Sequence, residues 1–390
     1  MLSKNKRIAK FLGCIYSFAS ALCKKNQKNI IFMSYPDFCD NSFALYKHLY
    51  ATRKDLKLIW LVNSTMPKDL PLGVIALKKW SLSGIIAYSR AATVFHTHGT
   101  YFFIYKKIKG QNNIALWHGM PLKKLGYLKG DTWPEVPYSD FSIATSDFFK
   151  KIVAETFNLK PEAVLVTGLP RNDILSTPEL VNKEAVLKKI GTEKFNGVIV
   201  WLPTYRTSFI KGLASDADYF SFKDEWTDED WFSINEHLRS VGMRLVIKLH
   251  PADILNTETI ENKYSNIIIW NTEAWQSFEI DLYDLLSISN GMITDISSVL
   301  VDYLLTKKPL AMTGKSIEGY KRGLNKGIDI LKQSNIYNIK DKEDFITYIN
   351  MASLKEHERS IKNVYGEYHN PGTEKASVNI TEQFIGYKEK

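Results

Sequence analysis

Cysteine is scarce in this sequence and unevenly placed. The 390 residues include three cysteines, Cys14, Cys23 and Cys39, all within the first forty positions. Their spacing is not that of a zinc site, and a disulfide framework needs more of them. The composition therefore argues against a disulfide-stapled secreted domain and favours a reducing compartment.

Acidic residues are absent before Asp37, and this basic stretch has no apolar run long enough to span a membrane. The apolar segment 8–23 is shorter than the roughly 18 residues that a spanning helix needs, and it includes Lys10. We expect residues 1–28 to form a basic amphipathic helix on an anionic membrane surface. Two alternatives stay open: a helix packed on its own protein, and a signal peptide cleaved after Ala21. The expected apolar face consists of Ile8, Phe11, Leu12, Ile15, Ala19 and Leu22.

Phosphate-binding loops are also missing. The sequence has no glycine-rich loop, no Walker-type GK[ST] and no Asp-x-Asp pair beside the segments that could carry chemistry. This absence argues against a kinase or ATPase, and we expect neither a metal ion nor a cofactor. The net charge of +9 favours polyanionic partners. Because basic residues cluster at the N-terminus rather than alternating with aromatics, nucleic acid is not expected.

The chain is too long for one ordinary core, and apolar strand-like runs alternate with helix-length segments. This alternation predicts parallel sheets in two doubly wound α/β domains, with ligands at the carboxyl ends of the strands. We place the first domain at 29–183 and the second at 184–390, with the last helix crossing back to the first. The predicted strands are 29–33, 56–62, 93–96, 113–116, 141–144, 163–167, 197–201, 244–248, 267–269 and 291–294.

In the first half, two predicted strands end in segments that could carry chemistry. His118 follows the strand 113–116 and could accept a proton from a hydroxyl near neutral pH. Arg171 follows the strand 163–167 and offers a planar fork for phosphate oxygens. The plainer alternatives are a buried structural histidine and a surface pair between Arg171 and Asp173.

In the second half, Pro203 and Thr204 end an apolar strand, and Lys248 and His250 point to one side of another. Ser297 and Ser298 are expected to cap a helix whose free N–H groups attract anions. Asp302, one turn further, could accept a hydrogen bond from a ribose or glycerol hydroxyl. The alternatives are a solvent-facing Lys-His pair and an ordinary capped helix. Together these segments could bind a diphosphate without a metal.

The order of WHGMPLKKLG, GLPRND, PTYR, KLHP and TDISSVLVDY resembles the CDP-glycerol glycerophosphotransferases of teichoic acid synthesis, over about residues 117–309. The resemblance implies a GT-B-like fold, with a cleft between two Rossmann-like domains and the nucleotide held mostly by the second. It also implies transfer of glycerol phosphate from CDP-glycerol to a lipid-linked acceptor at the cytoplasmic face of the membrane, with release of CMP. By this resemblance His118 and His250 are catalytic, and the donor-binding residues are Gly119, Met120, Pro121, Leu122, Arg171, Pro203, Thr204, Lys248, Ser297, Ser298 and Asp302.

Three positions depart from the pattern of the family. Met120, Lys248 and Ile296 stand where the family often has Thr, Arg and Tyr. Lys248 keeps the positive charge but lacks the bidentate fork of arginine. CDP-ribitol therefore stays open as the donor. Further alternatives are a GT-B glycosyltransferase that uses a sugar nucleotide and a non-catalytic adaptor at the membrane surface.

Overall fold

The structure is a computed structural model, and it describes residues 5–63, 66, 70, 74–203, 226–249, 263–313, 323–328, 336–354 and 366–386. The chain divides into two compact units. The first comprises Met1–Asp173 together with Glu367–Lys390, and the second comprises Ile174–Gly366.

Within the described residues, a parallel sheet of seven strands forms the centre of the first unit. The strands are β1 (Asn26–Met33), β2 (Lys57–Val62), β3 (Ile75–Lys78), β4 (Ala91–His96), β5 (Asn112–Ala115), β6 (Phe141–Ala144) and β7 (Val164–Val166). Their spatial order is β3-β2-β1-β4-β5-β6-β7. The central strands are continuous apolar runs because helices and loops cover both faces of a parallel sheet.

Helices connect these strands, and local sequence determines where they begin and end. The helices are α1 (Lys6–Ala21), α2 (Asp40–Thr52), α3 (Leu82–Arg90), α4 (Asp147–Phe157) and the short α5 (Asp173–Ser176). The hydroxyl of Ser146 accepts a hydrogen bond from the backbone N–H of Phe149 and so caps α4. At the other end Asn158 adopts a left-handed conformation that stops the helix.

The second unit repeats this plan. Within the described residues its sheet has six parallel strands in the order β10-β9-β8-β11-β12-β13. These are β8 (Gly197–Leu202), β9 (Met243–Lys248), β10 (Ile267–Trp270), β11 (Gly291–Thr294), β12 (Leu310–Thr313) and β13 (Tyr337–Ile339). The helices are α6 (Lys183–Lys189), α7 (Asp228–Val241), α8 (Thr272–Ser277), α9 (Leu282–Ile288), α10 (Val299–Tyr303) and α11 (Lys342–Leu354).

Both sheets reverse their strand order once. The reversal lies between β1 and β4 in the first unit and between β8 and β11 in the second. In open α/β sheets, ligands bind beyond the carboxyl ends of the strands at such a reversal. The expectation of two doubly wound Rossmann-like domains is therefore confirmed, and each reversal marks a place for a site.

Residues 367–386 belong to the first unit, and their helix is α12 (Ala376–Phe384). The carboxylate of Asp173 accepts hydrogen bonds from the backbone N–H groups of Ala376 and Ser377 at 2.7 and 3.0 Å. The ring of Phe384 lies against Phe95 and Phe141. The long segment of the first unit ends at Asp173, ten residues before the boundary expected at 183, and α12 belongs to this unit.

Helix α1 packs on the first unit through its small and polar face. Ala9, Gly13, Tyr16 and Ser20 are buried, and the Tyr16 hydroxyl hydrogen-bonds that of Ser89 at 2.8 Å. A Cβ atom at Gly13 would clash with a backbone carbonyl of the unit, so glycine allows the close approach. The opposite face is turned to solvent and is apolar. Its exposed side chains are Ile8, Phe11, Leu12, Ile15, Phe18 and, just past the helix, Leu22.

Candidate functional site

His118 lies just beyond β5, in a turn held by unusual backbone geometry. Trp117 and Gly119 on either side of it have positive φ angles of 53° and 131°. Phe38, before α2, and Asp40, its first residue, also have positive φ. Non-glycine residues with this conformation are strained, and such strain clusters at functional sites. The turn presents a partly exposed imidazole at the carboxyl end of the sheet.

Two aromatic rings contact the imidazole of His118. The Trp117 ring centroid lies 3.8 Å away, with the planes tilted by 34°. The ring of His98, which follows β4, lies 4.4 Å away and is almost parallel, at 8°. Among the described residues Nδ1 of His118 is buried without a hydrogen-bond partner.

Arg171 reaches the same strand ends from the 3₁₀ turn Pro170–Asn172 that follows β7. Its Nη1 donates to Oδ1 of Asp40 at 2.8 Å, and both side chains are largely buried. The backbone N–H of Arg171 donates to Oδ1 of Asn41, whose Nδ2 donates to the carbonyls of Leu116 and Trp117. The first residues of α2 therefore tie together the turns that carry His118 and Arg171. The carboxylate of Asp173, which the sequence offered as an alternative partner of Arg171, accepts hydrogen bonds from the first N–H groups of α12.

Electrostatics keep His118 neutral. Burial, followed by positive charge on His98 and Arg171, lowers the pKa of His118 to about 3, against a smaller opposing effect of a backbone hydrogen bond at Thr97. Burial also lowers the pKa of His98, which the Asp40 carboxylate partly offsets. A neutral imidazole can accept a proton, so His118 is in the protonation state that a base needs.

The residues after His118 are mostly internal. Met120 and Leu122 are 0% and 2% exposed, and Gly119 and Pro121 are also buried. This segment therefore lies inside the unit directly after the turn that carries His118.

In the second unit Lys248 is the last residue of β9 and stands at the carboxyl edge of the sheet. Its Nζ lies 5.2 Å from the ring centroid of Trp275. Burial lowers the pKa of Lys248 to about 8. The group therefore carries a positive charge at neutral pH that is only weakly solvated, which suits the binding of an anion.

Pro203 follows β8, and Ser297 and Ser298 follow β11, so they flank the strand-order reversal of the second unit. Ser298 occupies the N-cap position of α10, yet neither it nor Ser297 caps the helix through its hydroxyl within the described residues. The reason is that the Ser298 backbone is helical, with φ −62° and ψ −22°, whereas a capping residue is normally extended. Thr204 and His250 lie outside the described residues.

A sequence model of the family described as CDP-Glycerol:Poly(glycerophosphate) glycerophosphotransferase matches residues 15–383. The chain belongs to this family. The resemblance read from the five motifs is thereby confirmed, and it extends well beyond the stretch 117–309 that carries them.

Related proteins differ in polyol and in length. The teichoic acid poly(glycerol phosphate) polymerase of Staphylococcus epidermidis is 26% identical over 317 residues, 76% of this chain and 42% of that protein. The teichoic acid ribitol-phosphate primase of Bacillus spizizenii is 26% identical over 333 residues, 79% of this chain and 78% of that protein. This chain thus spans less than half of the polymerase and most of the primase.

A solved structure of the wall teichoic acid polymerase TagF is similar to this chain, with a TM-score of 0.72 and 22% identity. The match covers 97% of this chain and 93% of that chain. The match establishes the fold, and the GT-B-like expectation is confirmed. Among the described residues, none of the helices has the length and apolar character needed to cross a bilayer.

Asp302 occupies a different environment from the one that the motif suggested. It is fully buried, and its Oδ2 accepts a hydrogen bond from the Tyr283 hydroxyl at 2.6 Å. Helix α10 turns this side chain into the second unit.

Sequence reasoning missed three residues that shape the site in the first unit, namely His98, Asp40 and Asn41. His98 had a detectable signal, since it follows a predicted strand and precedes a glycine, as His118 does. Asp40 and Asn41 had none, because their importance comes from contacts with Arg171, about 130 positions away.

Proposed function

We propose that this protein transfers glycerol phosphate from CDP-glycerol to a hydroxyl of a lipid-linked acceptor, with release of CMP, in the synthesis of a teichoic-acid-like polymer. One observation carries the proposal: a neutral His118 stands beside Arg171 at the strand ends of a chain of this family. A neutral base and a fixed cation are the two groups that phosphoryl transfer without a metal requires.

The reaction would begin when His118 removes the proton of the acceptor hydroxyl. The acceptor oxygen attacks the phosphorus that bears glycerol, a new P–O bond forms, and the bond from this phosphorus to the bridging oxygen breaks. CMP leaves with the electron pair of that bond, and the proton stays on His118 until solvent takes it. Phosphoryl transfer depends mainly on positioning and charge stabilisation, so the cations around the diphosphate matter as much as the base.

Lys248, Ser297 and Ser298 would hold the diphosphate, together with His250 as the resemblance implies. Pro203 and Thr204 would meet the nucleotide. Arg171 would offset negative charge that grows on the diphosphate, and Asp40 holds its guanidinium in place until then.

The low pKa of His118 is compatible with this role. Burial, and after it the effect of His98 and Arg171, lowers the pKa of His118 and keeps the imidazole neutral before the donor binds. A diphosphate brings negative charge next to these residues and would raise the pKa of His118. Its ability to take the proton would therefore increase when the substrate is present.

CDP-ribitol is the second candidate donor. It is favoured by one observation, the equal identity of this chain to a glycerol-phosphate polymerase and a ribitol-phosphate primase. The residues that would read the additional hydroxyls of ribitol are not identified by any motif.

The deciding experiment incubates the purified protein and a lipid-linked acceptor with CDP-glycerol, CDP-ribitol or a UDP-sugar. Release of CMP or UDP is followed, and the acceptor product is weighed by mass spectrometry. We expect CMP release and a product heavier by one or more glycerol phosphate units. A product formed only from CDP-ribitol would change the donor, and UDP release alone would refute phosphoryl transfer in favour of glycosyl transfer.

We also propose that the protein works at the cytoplasmic face of the membrane, bound peripherally through α1. The exposed apolar side chains of this helix, with Phe11 66% and Phe18 72% exposed, are flanked by the exposed cations Arg7, Lys10 and Lys24. An apolar stripe bordered by positive charge is typical of helices that lie in the headgroup region of anionic bilayers.

A further inference from the structure

His98 has a fixed position that does not depend on His118. It follows β4, and its Nδ1 lies 2.9 Å from the hydroxyl of Thr97. Its ring lies 6.0 Å from that of Tyr35, with the two planes at 72°. One face of the ring stacks on His118, at 4.4 Å and 8°.

The parallel arrangement limits what His98 can do. Imidazole N–H groups lie in the plane of the ring, so two stacked rings cannot hydrogen-bond each other directly. His98 therefore cannot hold His118 by a hydrogen bond or take its proton along one. It can cover a face of the His118 ring, fix the plane of that ring, and oppose a positive charge on it.

The other charged groups around the pair determine the sign of this effect. Arg171 faces His118 from the turn after β7, and Asp40 at the start of α2 acts on His98 with opposite charge. His96 on β4 is neutral, since burial lowers its pKa to about 3, and burial raises the pKa of the Cys39 thiol to about 12. Because the two imidazoles are stacked, protonation of either ring disfavours protonation of the other.

We propose that His98 is a positioning residue for His118: its stacked ring covers one face of the base and holds it in one plane. The proposal rests on the proposed role of His118 as the base that accepts the acceptor's proton. His98 itself touches neither substrate nor the reacting atoms in this mechanism.

Two substitutions distinguish the effect of the planar ring of His98 from the effect of its nitrogens. His98→Phe keeps a flat ring to stack on His118 and removes both nitrogens. His98→Asn keeps a polar group near the Thr97 hydroxyl and removes the ring. The matched control is His48→Asn on α2, since burial also lowers the pKa of His48, which contacts neither imidazole in the described structure.

The first readout is the protonation of His118 in the full-length protein without substrate, followed by the pH dependence of its Cε1–H signal in NMR. We expect no titration of His118 above pH 5 or so in the wild type, His98→Phe or His48→Asn. In His98→Asn the titration should move toward 6.5, the value of a solvated histidine. A wild-type His118 that titrates near 6.5 would overturn the proposal before any variant is made.

The second readout is turnover as a function of pH. His98→Asn should lose about tenfold or more of kcat at pH 6 and recover part of it at pH 8, because the base is then neutral again. His98→Phe should stay within about threefold of wild type at both values. Equal loss of turnover in both variants would mean that the nitrogens of His98 are required. Wild-type turnover in His98→Asn would mean that the stacked ring is not required.

The folding of each variant is checked by near-ultraviolet circular dichroism. If His98→Asn does not fold, His98→Gln carries the same predictions. Failure of this inference differs from failure of the proposed function. The NMR titration needs no substrate, so it tests the stack even if no CDP-polyol is turned over, and normal turnover in His98→Asn refutes the stack while the proposed function stands.

Discussion

A single side chain, that of Asn41, sets the geometry around the proposed base. Its Nδ2 donates to the carbonyls of Leu116 and Trp117 at 3.3 and 2.9 Å, and its Oδ1 accepts from the N–H of Arg171 at 3.1 Å. The side-chain amide is fully buried, and both its oxygen and its nitrogen form hydrogen bonds. Since one residue fixes the turns of both His118 and Arg171, neither turn can shift without the other.

Loss of the imidazole of His118 should remove turnover and spare donor binding. Because the ring would act on the acceptor's proton and not on the nucleotide, His118→Ala should lose about 10²–10⁴-fold in kcat. Calorimetric affinity for CDP-glycerol should change by less than about threefold. His237→Ala, at a histidine that hydrogen-bonds Asn350 in the second unit, is the matched control and should keep full turnover. Unimpaired turnover in His118→Ala would exclude this residue as the base.

Lys248 should make donor binding sensitive to alkaline pH. Burial lowers its pKa to about 8, so the side chain is charged below that value and loses its charge as the pH rises through it. The dissociation constant for CDP-glycerol should be constant below about pH 7. Above about pH 8 it should increase by up to about tenfold per pH unit, which is the largest dependence that the loss of one proton can produce.

Lys248→Arg is the control for this titration, because a guanidinium stays charged throughout the range. Its affinity should be flat from pH 7 to pH 9.5 when measured by calorimetry against the same donor. A wild-type protein with an equally flat profile would show that Lys248 does not carry the charge that the donor meets.

Sequence motifs located the residues of the site better than they predicted its contacts. His118, Arg171 and Lys248 were expected at strand ends and are found there, because strand ends follow from short apolar runs. Asp40 and Asn41 come from a distant part of the chain, and no local sequence pattern indicates their contacts with Arg171. The capping role of Ser298 failed for a related reason, since its backbone conformation is determined by packing rather than by residue type.

At the scale of elements, the strands that sequence predicted are those with strong apolar runs. The ten predicted strands all correspond to observed strands within one to three residues at each end, and the helix 147–157 has its predicted bounds. The missed strands are β3, β12 and β13, which have only three or four residues each. Length alone does not explain the difference, because β6 and β11 also have four residues and were predicted.

Helix α1 shows why an amphipathic pattern does not fix which face is buried. The sequence predicts the apolar face of this helix, and in a globular protein such a face normally packs against the interior. The buried residues Ala9, Gly13, Tyr16 and Ser20 lie on the other side, where small side chains permit a close approach to the unit. The larger apolar side chains are left exposed, a pattern that calls for a partner other than the protein's own core.

Removing two exposed rings should weaken binding to lipid and leave the fold intact. The double variant Phe11→Ser/Phe18→Ser changes side chains that are 66% and 72% exposed, so we expect a change in melting temperature of no more than a degree or two. Sedimentation with vesicles containing phosphatidylglycerol should show at least about tenfold weaker binding, because the variant no longer buries the apolar surface of two phenylalanine rings in the bilayer.

The matched control is Phe232→Ser, which alters a phenylalanine of the second unit that is 58% exposed. It should bind vesicles as the wild type does. Vesicles of phosphatidylcholine alone should bind all three proteins weakly, since the flanking cations then find no negative charge. Similar binding by the double variant and the wild type would mean that α1 does not contact lipid.

At the scale of the whole molecule, composition misplaced the division of the chain. The stretch 177–194 has the character of a connection, and the boundary was therefore set at 183. In the structure the first long segment ends at Asp173, whose carboxylate accepts a hydrogen bond from the N-terminus of α12 at the far end of the sequence. A contact between residues 203 positions apart leaves no trace in local composition.

The return of the chain to the first unit makes a prediction about stability. Phe384 in α12 lies 5.4 Å from the ring of Phe141 in β6 and 6.2 Å from that of Phe95 in β4. Phe384→Ala should therefore destabilise the first unit by about 2 kcal/mol, less than the 3–5 kcal/mol of a fully buried phenylalanine because this ring is partly exposed. Val378→Ala in the same helix, at a side chain that is 40% exposed, should cost well under 1 kcal/mol.

Because two units need not unfold together, a single melting curve would not locate the effect. Hydrogen exchange read by mass spectrometry resolves the two units, since the peptides of β4 and β6 report on the first and those of β9 and β11 on the second. In Phe384→Ala, exchange should accelerate in β4 and β6 and stay at the wild-type rate in β9 and β11. Equal acceleration in both sheets would contradict the assignment of α12 to the first unit alone, and unchanged exchange in β6 would mean that the contact with Phe141 contributes little.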